Sequence, residues 1–161
     1  MRTVRRTVPA PQGLGTEVVG VPAGSDLELD LRLEAVMEGV LVTGKVHGTA
    51  AGECVRCLDA VTMDVNADLL ELFAYPDRDR EAGEEDDDVR GLDGDFIVLE
   101  DAVRDAVVPA LPFQPVCRDD CPGLCSECGA RLADDPEHVH ESLDPRWAAL
   151  QGILQDDEKE S

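Results

Sequence analysis

Apolar and charged residues alternate along residues 26–37 with almost no exception. Successive side chains of a strand point to opposite faces of a sheet, so this pattern predicts a strand with one buried and one solvated face. Charged residues hold the solvated positions, among them Glu28, Asp30 and Arg32. The predicted buried positions are Leu27, Leu29, Leu31, Leu33, Ala35 and Met37.

Two more stretches, residues 40–50 and 61–67, carry a similar two-residue period. The second is followed by apolar residues up to Tyr75, which predict a continued strand with a change of face. Gly44 and Gly48 inside the first stretch predict bulges or a sharp bend of the kind found in barrels. The sequence therefore predicts an antiparallel sheet of three or four strands, or a small open barrel.

Beyond Leu99 the apolar spacing changes to three and four residues, which predicts an amphipathic helix over residues 99–111. Pro109 and Pro112 are expected to end this helix, because proline lacks a backbone N–H. The apolar stripe of the helix is expected to cover the open face of the sheet, which gives an α+β fold. Residues 96–98 predict a short strand, and Asp144 followed by proline predicts the start of a last helix.

The remaining segments define the predicted domain organisation. Residues 1–24 contain several prolines and predict a flexible arm, or an arm that forms an edge of the sheet. The acidic run within residues 77–95 repels itself and predicts a disordered loop. We therefore expect an arm (1–24), a β-rich core (25–112) and a cysteine-rich module that ends with the last helix (113–161).

The composition restricts the classes of partner and compartment. The chain has 161 residues, of which 43% are apolar and 3% aromatic, enough for one domain with a core of Val, Leu and Ala. Its net charge of −22 argues against binding nucleic acid through the overall field. It indicates either solubility, the more common reason for an acidic composition, or a basic protein partner. The N-terminus has no apolar signal region, and no apolar run reaches membrane-spanning length. We therefore expect a cytoplasmic protein without membrane association, in which thiols stay reduced.

Cysteine and histidine supply the candidate chemistry. A Cys-x-x-Cys turn points both sulfurs at one metal ion, and a following glycine, as in Cys125-Ser-Glu-Cys128-Gly129, permits the tight backbone of a zinc knuckle. Six cysteines and two histidines give eight candidate ligands, which are enough for two tetrahedral zinc sites of four ligands each. The candidate ligands are Cys54, Cys57, Cys117, Cys121, Cys125, Cys128, His138 and His140.

Structural zinc is the favoured interpretation of these pairs. Disulfides need an oxidising compartment, a redox pair needs a βαβ context, and catalytic zinc needs an open position and a general base. These three remain alternatives, and the lone His47 is interpreted as a surface or packing residue. We expect one site from Cys54, Cys57, Cys117 and Cys121, and the other from Cys125, Cys128, His138 and His140.

Together these motifs resemble the YceD family. The resemblance implies a role in the accumulation of large-subunit ribosomal RNA, hence in ribosome assembly, and no established enzymatic activity. Many members of the family have Cys-x-Cys where this chain has His138-Val-His140, and both patterns supply a pair of ligands. The resemblance spans nearly the whole chain and rests on residues 53–57, 110–112, 117–129 and 144–147.

The resemblance and the charge together define the expected partner. We expect a precursor of the large ribosomal subunit, reached mainly through a basic ribosomal protein, and no small-molecule substrate. Local contact with RNA is expected at Arg2, Arg5 and Arg6, or at the zinc-knuckle module. The alternative function is a metal-dependent hydrolase or nuclease that acts on precursor RNA, although the sequence has neither a basic groove nor a paired-carboxylate site to support it.

Overall fold

A computed structural model describes residues 1–76 and 90–140 of the chain. The chain divides into two compact units, Met1–Cys121 and Pro122–Ser161. All regular elements of the described residues lie in the first unit, which consists of an antiparallel sheet and one helix. These elements are β1 (Arg2–Pro9), β2 (Val19–Gly20), β3 (Asp26–Ala35), β4 (Gly39–Glu53), β5 (Ala60–Ala74) and α1 (Glu100–Ala110).

The sheet is built around the long hairpin of β4 and β5, which have 15 residues each and pair along their whole length. On the other side of β4, β3 pairs with the first half of the strand and β2 with its end. β1 pairs only with β3 and forms an edge. Within the described residues β1 and β5 do not pair with each other, so the sheet is open. The predicted antiparallel α+β class is confirmed.

The core lies between the inner face of the sheet and α1. The alternation predicted for β3 is confirmed at Leu27, Leu29 and Leu31, which are all buried. It is wrong beyond them, because Leu33 is only partly buried and Ala35 and Met37 are exposed. The helix adds the apolar stripe that its spacing predicted and packs mainly on β5. Other buried members of this core are Ala10, Leu14, Val19, Val21, Val42, Val46, Ala50, Val65, Ala67, Leu69, Phe73, Ala102, Val103, Val107 and Leu111.

Residues 2–9 of the N-terminal arm form a strand at the edge of the sheet. The prediction of an edge-forming arm is therefore confirmed for these residues, and the prediction of a flexible arm is wrong. Val4 lies opposite Leu31 and Val8 opposite Leu27, and both valines are partly buried while the arginines of the strand stay exposed. The first proline of the arm occupies the last position of β1, where a missing N–H does not interrupt the pairing. The basic residues of the arm therefore lie exposed on an edge strand.

The bulges predicted at Gly44 and Gly48 are wrong for the β4–β5 pairing, which runs without interruption past both residues, whereas the pairing with β3 ends at His47, just before Gly48. The glycines instead allow close approach. A Cβ atom on Gly44 would lie 2.1 Å from the carbonyl oxygen of Asp30, and one on Gly48 would lie 2.7 Å from Cδ2 of Leu27. Both distances are shorter than van der Waals contact, so each glycine lies where β3 approaches β4 too closely for a side chain.

The predicted change of face in β5 is also wrong, since the inner positions continue with Leu69 and Phe73 while Leu70 is exposed. This register places a charged residue, Glu71, among the inner positions. Arg90 compensates this charge: its Nη1 atom lies 2.7 Å from a carboxylate oxygen of Glu71, and its other terminal nitrogen pairs with Asp105 on α1. The backbone of Arg90 also accepts a hydrogen bond from Ala74 N, at 2.8 Å. Residues 90–95 of the predicted acidic loop are thus ordered beside β5.

The helix agrees with its prediction to within one residue at each end. Pro109 lies inside the last turn of α1 rather than after it. The short strand predicted over residues 96–98 is wrong, because only an isolated bridge between Asp93 and Phe96 forms there. The rest of the predicted acidic loop (77–89) and the predicted last helix lie outside the described residues. No helix within the described ranges is long and apolar enough to cross a membrane.

Candidate metal centres

The first cysteine cluster is assembled at the turn between β4 and β5. Cys54 and Cys57 lie in this turn, where Cys54 N donates to the carbonyl of Asp59 at 2.7 Å. Cys117 and Cys121 follow α1 and meet the turn after a long excursion of the chain. The division between the two units falls after Cys121 rather than after residue 112, so this whole cluster belongs to the sheet unit.

The sulfur–sulfur distances of the first cluster suit a tetrahedral metal ion. Cys54 Sγ lies 3.9 Å from Cys121 Sγ, and Cys57 Sγ lies 3.7 Å from Cys117 Sγ. With zinc–sulfur bonds of about 2.3 Å, the corners of a tetrahedron are about 3.8 Å apart. A disulfide would need about 2.05 Å, and all six cysteines are free. The cluster therefore has the dimensions of a four-thiolate metal site.

Burial holds the first cluster in place, and so does a pair of hydrogen bonds from Arg56, here called the Arg56 clamp. Three of its cysteines are buried, and they pack with Val61 in a small apolar cluster separate from the main core. Arg56, inside the Cys-x-x-Cys turn, reaches across to the other half of the site. Its Nη1 atom donates to the carbonyl oxygens of Asp119 and Cys121, both at 3.0 Å. The arginine thus ties the hairpin turn to the segment that supplies the other two ligands.

The second cluster lies entirely in the second unit, within residues 122–140. His138 Nε2 and His140 Nε2 are each 3.2 Å from Cys128 Sγ and 2.9 Å from each other. A tetrahedral zinc ion with nitrogen and sulfur ligands places such atoms about 3.3–3.6 Å apart, so these three atoms lie slightly closer together than they would around a bound ion. Cys125 completes the set, in which all four ligand atoms lie within 4.8 Å of one another. The structure therefore groups the eight candidate ligands into two sets of four.

A carboxylate lies near the outer ring nitrogen of each histidine. Asp135 Oδ2 lies 3.8 Å from Nδ1 of His138, and Glu127 Oε2 lies 3.5 Å from Nδ1 of His140. Metal-binding histidines commonly present their other ring nitrogen to such a partner, which selects the tautomer that binds through Nε2. Asp135 and Glu127 stand in the positions of such partners, at distances longer than an ordinary hydrogen bond.

The electrostatics of both clusters favour a divalent cation. Burial raises the pKa of Cys54, but surrounding backbone N–H groups outweigh it and leave this pKa at about 6. Backbone N–H groups of its own turn also lower the pKa of Cys125 to about 6. The backbone N–H of Asp59 lowers the pKa of Cys57, whereas burial and three neighbouring thiols raise it to about 12. The four crowded thiols cannot all ionise without a cation that neutralises them.

The two Cys-x-x-Cys turns share one backbone pattern. In the second, Gly129 N donates to the carbonyl of Cys125 at 2.9 Å, and in the first Leu58 N donates to the carbonyl of Cys54 at the same distance. Both residues adopt a positive φ, +73° for the glycine and +62° for the leucine. A left-handed conformation costs a residue with a Cβ atom roughly 1–2 kcal/mol. The first turn therefore carries a strained leucine where the second has a glycine.

Sequence reasoning identified the eight candidate ligands but not the residues around them. Arg56 and Leu58 flank a ligand directly, yet neither residue type has a spacing that predicts its role. Glu127 and Asp135 carried a weak signal, since each stands near a candidate ligand within the cysteine-rich segment. His47 lies on β4 and interacts with Asn66 on β5 through Nδ1, at 2.8 Å, which confirms its interpretation as a strand residue.

Replacing Arg56 by alanine is expected to accelerate metal loss from the first cluster. The substitution removes both hydrogen bonds from the guanidinium to the segment of the second pair of cysteines. Outer partners of metal ligands change metal affinity by about 10- to 100-fold. We expect zinc transfer to a chromogenic chelator about tenfold more readily than from the wild type. Arg32→Ala is the matched control, because Arg32 pairs with Glu34 on an exposed face of the sheet. Equal zinc transfer from Arg56→Ala and Arg32→Ala would contradict a role for Arg56 in holding the cluster together.

Comparisons with known proteins identify the family of the chain. The family model "Large ribosomal RNA subunit accumulation protein YceD" matches residues 42–154. Uncharacterized proteins of Mycobacterium tuberculosis and Mycobacterium bovis are 50% identical over 148 residues, which cover 92% of this chain and 72% of each relative. A relative from Mycobacterium leprae is 45% identical over 154 residues, 96% of this chain and 71% of its own length. No solved structure matches. The chain belongs to the YceD family.

Proposed function

We propose that this chain is a non-catalytic factor in the assembly of the large ribosomal subunit. Its role is to permit accumulation of large-subunit ribosomal RNA, and both metal clusters hold structural zinc. The observation that carries the proposal is the match of residues 42–154 to a family described by that accumulation. The protein acts in the cytoplasm, where thiols stay reduced and available to zinc.

A structural role for zinc is supported by the ligand sets. Each cluster offers four protein side chains, and four protein ligands complete a tetrahedron, as in structural zinc sites. A catalytic ion instead keeps a position for water or substrate. With both sites filled by protein ligands, zinc supplies folding energy to the chain rather than chemistry to a substrate.

The charge of the chain supports a basic protein as the contact with the ribosomal precursor. At −22 the chain is repelled by bare RNA, whereas many exposed carboxylates attract a surface rich in Lys and Arg. We expect binding to that basic ribosomal protein to weaken as salt rises from 50 mM to 500 mM. Exposed opposite charges are screened over about 8–10 Å near physiological ionic strength. Salt-insensitive binding to naked RNA would contradict this part of the proposal.

Depletion of the protein tests the function itself. In cells without a second copy of the gene, loss of the protein is expected to lower mature large-subunit RNA while small-subunit RNA stays close to normal. Sucrose-gradient profiles and RNA quantification measure both. Restoring the wild-type chain is the positive control, and a chain with all six cysteines replaced by serine is the negative one. Normal subunit profiles after depletion would overturn the proposal.

A cleavage assay separates this function from the alternative of a nuclease. Purified zinc-loaded protein is incubated with labelled precursor of large-subunit RNA, and an unrelated RNA serves as control. The proposal predicts that the precursor stays intact. Defined, protein-dependent cleavage products would overturn the non-catalytic role and favour the metal-dependent hydrolase.

A further inference from the structure

A surface cavity of about 430 Å³ opens beside the first cysteine turn. One wall is the loop before β2, and the other is the turn that carries Cys54. Three aliphatic side chains line the cavity and are nevertheless exposed: Val18 by 42%, Val55 by 42% and Leu58 by 61%. The sheet unit thus presents a small apolar patch next to its metal cluster.

Leu58 is the unexpected member of this patch. Its φ of +62° is a conformation that glycine adopts without steric cost, as Gly129 does in the equivalent position of the second turn. An unfavourable backbone conformation persists only where the surrounding structure imposes it, and such residues cluster at functional sites. Within the sheet unit, however, more than half of the Leu58 side chain stays in solvent. Folding alone therefore does not account for a leucine here.

The rim of the cavity is acidic. Glu17 and Glu53 line the same cavity as the aliphatic patch and are exposed. Neither carboxylate is paired with a cation among the residues that the structure describes. An apolar patch with an acidic rim is complementary to an aliphatic or aromatic side chain flanked by Lys or Arg, and it disfavours a phosphate backbone.

We propose that this surface, formed by Val18, Val55 and Leu58 with Glu17 and Glu53 at its rim, docks a basic segment of a protein of the large ribosomal subunit. Leu58 inserts beside an apolar side chain of that segment, and the two glutamates face its cationic residues. The inference rests on the proposed function, because that function supplies the basic partner. It adds the place of contact and the residue that dominates it.

The first test is the stability of Leu58→Gly. If the leucine serves a partner, then glycine relieves the backbone strain and the melting temperature of the zinc-loaded full chain should equal or exceed that of the wild type. A structural leucine would give the opposite result. A clear fall in the melting temperature of Leu58→Gly would therefore overturn the proposal without any knowledge of the partner.

The second test measures binding to the total protein extracted from purified large ribosomal subunits, with naked large-subunit RNA as a separate probe. The immobilised wild-type chain is expected to retain a basic protein of that mixture. Binding of this protein should weaken at least tenfold in both Leu58→Gly and Leu58→Ala. The matched control is Leu70→Ala, because Leu70 is 72% exposed on the outer face of β5. This control should bind like the wild type.

The outcomes distinguish this inference from the function on which it rests. Equal binding by the wild type and both Leu58 variants would overturn the docking surface while the assembly role stands. Equal weakening in Leu70→Ala would also overturn it. Retention of no ribosomal protein by the wild type would overturn the partner of the proposed function and this inference with it. Leu58-dependent binding of naked RNA, or of a second copy of the chain, would overturn the class of partner.

Discussion

Removal of zinc from the reduced protein is expected to unfold residues 122–140 while much of the sheet unit stays folded. Among the described residues of the second unit, no apolar side chain is buried. A segment without an apolar core cannot offset the entropy lost on ordering its backbone. Structural zinc contributes about 10 kcal/mol or more of apparent binding free energy, which is enough to do so.

The sheet unit differs because its main core is independent of the cysteines. Buried leucines and valines of β3, β4 and β5 pack against α1, apart from the small cluster around Cys54. We therefore expect that removal of zinc disorders the segment around Cys117 and the turn around Cys57, while the strands stay folded. Amide chemical shifts would report both effects. Dispersed signals from residues 122–140 in the zinc-free, reduced chain would contradict a metal-dependent fold.

The substitution Leu31→Asp is expected to leave the sheet unit largely unfolded. Leu31 is 2% exposed on the central part of β3, between Val4 of β1 and Gly44 of β4. A carboxylate there would lose its hydration without gaining a hydrogen-bond partner, which costs several kcal/mol. The total stability of a domain is about 5–15 kcal/mol, so this one change removes a large part of it.

Leu70→Asp is the matched control for that substitution. Leu70 has the same side chain, but it lies on the solvated face of β5 opposite Thr43. We expect the free energy of unfolding of this variant to stay within about 0.5 kcal/mol of the wild type in urea titration. Similar losses in both variants would show that the inner and outer faces of the sheet have been assigned wrongly.

Much of the fold could be predicted because the alternation in β3 and the helical spacing of α1 are strong local signals. In two of the failed predictions, the deciding contact was distant in sequence. Nothing local shows that β1 finds Leu27 and Leu31 across the sheet. Likewise, the charge of Glu71 breaks the apolar pattern of β5, and only Arg90, beyond the acidic run, explains how that charge is accommodated.

For the candidate site, the ligands could be predicted from the sequence but their surroundings could not. Cysteine and histidine are rare residues, so their spacing alone identified the eight candidate ligands and a division into two sets. The surroundings of the ligands were not predictable, because Arg56 and Leu58 act through backbone geometry that no residue pattern encodes. The clamp depends on two carbonyl oxygens, and the strain on Leu58 depends on one dihedral angle.

Native mass spectrometry of the reduced full chain tests the two structural zinc sites most directly. We expect the mass of one chain plus two zinc ions. The double variant His138→Ala with His140→Ala should retain one ion, and so should Cys54→Ser with Cys57→Ser. A wild-type chain that carries a single ion, unaffected by the histidine substitutions, would leave only the four-cysteine site. A metal-free chain that is nevertheless folded throughout would contradict the account.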